Sequence, residues 1–348
     1  MNNRYCIPLL TAAALLMTSS GCSLSKNSGS SEKADSYSRT IFAMDTYMTV
    51  KIYGGSEKTL DAAESRIKEL ESELSVTLPD SDISKLNSSG GEPVEVSEDT
   101  LAIVKKAVDT GDITGGALDV TAYPIVKEWG FTTGNYTIPS ESRLNELLPC
   151  VDYRRISIDG NKVALPADQQ IDLGALAKGY TGDEVMTILR DNGAEAAVIS
   201  LGGNVQTSGK KPDGSSWKVA VRDPFSPETD MCVIEVDEKA VITSGNYERC
   251  FTGEDGQNYW HIIDPKDGFP ADNGIVSATI IGNDGLTCDA LSTAMFVKGL
   301  DGAAELWRSD RSYDMILVTD DQKIFYTEGI KDVFSNMSHM PAEVITVD

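Results

Sequence analysis

Residues 40–55, TIFAMDTYMTVKIYGG, place apolar side chains at Phe42, Met44, Met48, Val50 and Ile52 and end on a glycine pair, so they read as a strand running into a turn. Immediately beyond, Leu60, Ala63, Ile67, Leu70 and Leu74 recur at helical spacing, which predicts a helix packed against that strand. A polar loop over 78–91 leads to a second helix over 99–110, with Leu101, Val104, Ala107 and Val108 inward. Residues 154–165, RRISIDGNKVAL, carry a hairpin signal at Asp159-Gly160-Asn161.

Further strands are expected at 196–201, 217–221, 232–236, 259–263, 275–281, 315–318 and 323–326, and helices at 175–191, 288–298 and 302–308. Strands joined by hairpins, with helices at irregular intervals, predict an α+β architecture rather than a regular βαβ repeat. The 348 residues suffice for a large core, and no internal repeat or later linker divides them.

The chain opens MNNRYCIPLLTAAALLMTSSGCSLS: one early positive charge at Arg4, a short apolar run, then small residues before Cys22. This is the pattern of an export signal, too short to be a permanent membrane span. Small-small-Gly-Cys resembles the lipobox of bacterial lipoproteins, although Ser19 stands where Leu is usual. The expected organisation is therefore a lipoprotein signal peptide over 1–21, a lipid-carrying Cys22 opening a Ser-, Lys- and Gly-rich tether over 22–38, and a catalytic domain over 39–340. The mature chain is expected outside the cytoplasm, held to the cell membrane by its lipid.

Cys150, Cys232, Cys250 and Cys288 then remain; none forms a C-x-x-C pair, and with only His261 and His339 available the composition argues against zinc. A formal charge of −24 argues against nucleic acid and anionic membrane faces as partners. It also means that any phosphate ligand needs local positive charge, which a divalent cation supplies most simply.

Four constellations could carry chemistry. In IDLGALAKGYTGDEV (171–185), Asp172 precedes a helix and Lys178 lies one to two turns in, so both could face a phosphate at the helix start; an Asp cap with a solvated Lys fits the same spacing. In LTCDALSTAMFVKG (286–299), Asp289 and Thr293 share a helical face, and a carboxylate with a hydroxyl is hard-oxygen ligation suited to Mg²⁺. In ISLGGNVQTSG (199–209), a strand meets Gly202-Gly203-Asn204, a turn that allows close backbone approach to a ligand or simply turns the chain. After ITSGNYERCF (242–251), His261 in YWHIIDPKDGFP (259–270) is a candidate general base or a structural strand residue. Neither a GxGxxG nor a GxxxxGK[ST] motif is present.

MDTYMTV, TGGALDVTAYPIVKEWGF, IDLGALAKGYTGDEV, ISLGGNV, TSGNYER, HIIDPKDGFP and DALSTAMFVKG occur in the order and at the separations of the ApbE family of FAD:protein FMN transferases, and the resemblance spans about 40–330. It implies one ApbE-like domain with mixed and antiparallel sheets, FAD as substrate and Mg²⁺ as metal. The acceptor would be a Thr or Ser of an exported protein, a membrane redox subunit or reductase. By the same resemblance Met44, Ala117, Leu118, Asp119, Asp172 and Lys178 would contact FAD, with Ile262 and Ile263 near its rings. The Ala175 carbonyl, Asp289 and Thr293 would hold the metal, with Ser292 beside it, and His261 would activate the acceptor hydroxyl.

Three positions depart from the family pattern. Thr77 stands where many members have a Tyr that covers FAD, Asp45 replaces a Gly and Leu118 a Phe. Loss of the aromatic lid would admit water, so an FAD pyrophosphatase yielding FMN and AMP is the nearest rival; a non-catalytic flavin-binding lipoprotein is the other.

Overall fold

A computed structural model describes residues 35–348; the expected signal peptide and Cys22 lie outside the described residues. The segment expected as one strand is a hairpin. β1 (Ser36–Ala43) and β2 (Thr46–Gly54) pair antiparallel, Ile41 opposite Met48 and Ala43 opposite Thr46. The turn residues Met44 and Asp45 both have positive φ, 50° and 58°, the backbone of a type I′ turn whose twist suits the flanking strands. The hairpin resets the alternation. Ile41 and Ala43 join Met48, Val50 and Ile52 in the core, while Phe42, expected inside, is 61% exposed. β1 starts at Ser36, so the sheet takes in the end of the stretch read as tether.

The main sheet continues with β3 (Ala194–Leu201), β4 (Asn204–Ser208), β5 (Ala240–Gly245), β6 (Ile275–Gly282), β7 (Asp314–Thr319), β8 (Ile324–Thr327) and β9 (Ala342–Ile345). Its order in space is its order in the chain. Every neighbouring pair is antiparallel except β8–β9, which is parallel; β9 lies beyond the expected boundary at 340.

Four helices lie on one side, α1 (Glu57–Leu74), α2 (Glu98–Thr114), α3 (Gly174–Asp191) and α4 (Gly285–Ser309); α1, α3 and α4 cover the sheet and α2 packs on them. α4 holds both helices expected over 288–308, joined across a break at Gly299, where φ is 73°. The other face carries a three-stranded sheet of Trp217–Asp223, Ser226–Val236 and Phe334–Asn336. Hence β6, covered on both sides, is buried at all its positions: Ala278 and Ile280 pack toward the helices, Val276 and Ile281 toward the small sheet. Such a three-layer α+β arrangement matches the expected class.

The loop expected over 78–91 contains a short helix, Asp82–Asn87. The Ser81 hydroxyl accepts the Ser84 N–H, and Ile83 and Leu86 are buried; a good cap and two apolar contacts outweigh the polar composition.

Candidate active site

α3 and α4 cross at glycines. A methyl on Gly179 would collide with the Gly285 carbonyl and lie 2.7 Å from Cβ of Asp289, and one on Gly182 would collide with the Gln206 amide. The backbones can approach this closely only without side chains between them. Polar groups then lock the crossing. The Gln206 side-chain amide donates to the Gly179 carbonyl at 3.0 Å. The Asp183 carboxylate on α3 accepts the N–H groups of Gly285 and Leu286 at 2.6 and 2.9 Å, capping α4 from its neighbour. Burial raises the Asp183 pKa to about 6.

This locked crossing positions Asp289. Its side chain is 4% exposed, and Oδ2 accepts the Gly179 N–H at 2.8 Å. In a regular helix that N–H serves the carbonyl of Ala175, so the Asp289 carboxylate and the Ala175 carbonyl converge on one point of α3. One turn on along α4 lies Thr293, and both Thr293 and Ser292 meet Ser244 at the end of β5: Ser244 Oγ is 3.3 Å from Thr293 Oγ1 and 2.7 Å from Ser292 Oγ. The fully buried Ser292 hydroxyl also donates to the Asp289 carbonyl at 2.8 Å, which commits it to holding α4 against β5.

Burial raises the Asp289 pKa, offset in part by the Lys178 charge, the Gly179 amide and the Asn204 side chain. No ion pair to Asp289 forms among the described residues, and none of them build a cluster of three or more His, Cys, Asp or Glu ligands. A buried acid with a carbonyl and a hydroxyl beside it is an all-oxygen set lacking a full counter-charge, which fits Mg²⁺ completed by water and phosphate oxygens.

The rest of the site hangs on loops. Asp172 Oδ1 accepts the Gly174 N–H at 3.0 Å just before α3, and burial raises its pKa against the opposing effect of Arg249 and Lys178. Lys178 Nζ lies 3.4 Å from the Gly174 carbonyl. His261 follows the short strand Asn258–Trp260, and its Nδ1 is 3.2 Å from the Glu248 carbonyl oxygen. A carbonyl only accepts, so Nδ1 carries the proton and Nε2 keeps its lone pair. Burial and the charges of Arg249 and Lys178 push its pKa down to about 3, so the ring is neutral at physiological pH.

Not every expected residue presents its side chain to this cleft. Ala117, Leu118 and Ile262 lie in the main core, and Ile263 packs with Ile125 and Trp129. Asp119 accepts the N–H groups of Thr121 and Tyr153 at 2.9 and 3.0 Å, so its oxygens are engaged by backbone; it borders a separate recess of about 320 Å³ with Tyr153, Arg154 and Lys266. Met44 is half-buried, its N–H donating to Glu71 at 2.6 Å and its sulfur 3.7 Å from the Thr181 hydroxyl. Thr77 is exposed, its hydroxyl 3.1 Å from that of Ser75.

Sequence reasoning missed Ser244, Glu248, Arg249, Gln206 and Asp183. The glycines of α3 were the available signal, since each weakens a helix and its retention asks for a packing reason.

The model of the ApbE family matches residues 44–317. An FAD:protein FMN transferase of Vibrio cholerae is 33% identical over 271 residues, covering 76% of this chain and 81% of that protein; one of Treponema pallidum is 30% identical, covering 87% and 90%. Among solved structures, the ApbE protein of Thermotoga maritima superposes with a TM-score of 0.79 at 31% identity, covering 86% of this chain and 99% of that one. The flavin transferase ApbE of Vibrio cholerae gives 0.77 at 28%, again covering 86% and 99%. With its seven motifs in register and its fold shared along the whole domain, this chain belongs to the ApbE family.

Proposed function

We propose that the chain is a Mg²⁺-dependent FAD:protein FMN transferase acting on a Thr or Ser of an extracytoplasmic acceptor, anchored to the cell membrane through Cys22. One arrangement carries this reading: a neutral His261, its Nδ1 held by the Glu248 carbonyl, within electrostatic reach of Lys178, which also acts on the buried Asp289. Lys178 orients the diphosphate and stabilises charge that builds on its oxygens, while Asp172 holds the Gly174 N–H at the start of α3. His261 Nε2 takes the proton of the acceptor hydroxyl. The hydroxyl oxygen bonds to the FMN phosphorus, the bond from that phosphorus to the bridging oxygen breaks, and AMP leaves with that oxygen. Mg²⁺ bound by Asp289, Thr293 and the Ala175 carbonyl would supply Lewis-acid polarisation of the pyrophosphate.

Incubating the mature domain with FAD, Mg²⁺ and an acceptor protein should yield a fluorescent, covalently labelled acceptor and one AMP per label. Absence of label across several acceptors carrying exposed Thr or Ser would overturn the reading. The exposed Thr77, with no aromatic cover, favours one second reading, an FAD pyrophosphatase. AMP release as fast without acceptor as with it would select that reaction.

A further inference from the structure

Among the described residues four non-glycine positions have positive φ, and two of them, Asp45 (58°) and Arg249 (40°), touch each other. Asp45 is the second residue of the β1–β2 hairpin turn, and Arg249 ends the turn that follows β5. The contact joining the two turns is a single ion pair, Arg249 Nη2 to Asp45 Oδ2 at 3.2 Å, with the two side chains 50% and 83% exposed. Solvent screens such a pair, so its arginine is readily exchanged to a stronger anion.

Arg249 is also placed to meet one. It directly follows Glu248, whose carbonyl holds His261. The charges of Arg249 and Lys178 both act on Asp172, Glu248 and His261, so the two cations lie beside the same three side chains. A lysine is a point charge, whereas a guanidinium presents a planar fork to phosphate oxygens. In a chain of net charge −24, a second fixed cation at a diphosphate site has a clear electrostatic role.

We propose that Arg249 is a second phosphate-binding residue of the nucleotide site and that Asp45 is the anion the diphosphate displaces from it. Asp45 thereby sets nucleotide affinity by competition. The inference rests on the proposed use of FAD.

Binding of FAD and of riboflavin, which lacks phosphate, is measured by flavin fluorescence on the whole mature domain with Mg²⁺. Arg249→Met should weaken FAD about tenfold, the loss of one charged hydrogen-bonding group. Riboflavin binding should not change, and Arg249→Lys should fall between parent and Arg249→Met. Asp45→Asn should tighten FAD about threefold, and this gain should vanish when Arg249 is already Met. Equal loss of riboflavin and FAD in Arg249→Met would make Arg249 merely structural and overturn the inference. So would an Asp45→Asn gain that persists without Arg249, or no change in either variant. Failure of the parent protein to bind FAD would instead overturn the function itself.

Discussion

The α3–α4 crossing and the two turns at 44–45 and 246–249 reach one cleft by opposite physical means. The crossing is buried and glycine-packed, and cross-helix hydrogen bonds from Gln206 and Asp183 hold it; Asp289 has no freedom to move without unpacking both helices. The turns are half-buried apart from the exposed Asp45 and Arg249, carry positive φ at non-glycine residues, and touch through one solvated ion pair. The division would suit the proposed reaction: a cation and a diphosphate need oxygens at fixed positions, whereas a protein acceptor must enter and leave.

Four perturbations test how real that division is. The largest effect is expected at the loop side. His261→Gln should lower FMN transfer by about 10²- to 10⁴-fold, the usual worth of a positioned base. FAD affinity should stay near the parent value, so a parallel loss of binding would place His261 with the nucleotide instead. In the parent, transfer should show no inflection near pH 6.5, because the ring is already unprotonated above about 3.

On the rigid side, Asp289→Ala should cut AMP release by about 10²- to 10³-fold and abolish its response to added Mg²⁺. Retention of a Mg²⁺ response would move the metal elsewhere. Gly179→Ala comes next. Better helix propensity favours Ala by only about 1 kcal/mol, and the collision with Gly285 should outweigh it. A net loss of about 2 kcal/mol and a fall of several degrees in Tm are expected; an unchanged Tm would show that the crossing yields.

The smallest effect concerns Asp183. Its folded pKa of about 6 lies above the ordinary 3.8, so the folded state binds more protons between these values and this residue's contribution to stability falls as pH rises through that window. Asp183→Asn should remove that component, so that the parent gains relative to the variant as pH drops from 6 to 4. Melting curves of both proteins across this range check the sign.

Seven ordered motifs singled out Asp172, Lys178, His261 and Asp289 as candidates, and the fold class and most elements were readable from residue patterning. Three local features were not. The hairpin at Met44–Asp45 lacks the Asn-Gly or Gly-Gly signature of a type I′ turn, so alternation alone ran the two strands together and inverted Phe42. The helix at Asp82–Asn87 is too short for periodicity to register and depends on its Ser81 cap. Glu248 and Arg249 act through a backbone carbonyl and a cross-turn contact, and neither leaves a spacing signal in the chain.

Because the main sheet repeats in space the sequence of its strands, it can be assembled from one margin, each arriving segment finding its neighbour already in place, and β9 is the last to dock. Lys178 and the Ala175 carbonyl are therefore synthesised, and can be seated beside β1–β4, well before Asp289 emerges with α4. On the proposed function, a chain stopped before α4 would carry Lys178 and the Ala175 carbonyl without Asp289, so metal binding would wait until six strands of the main sheet have been made.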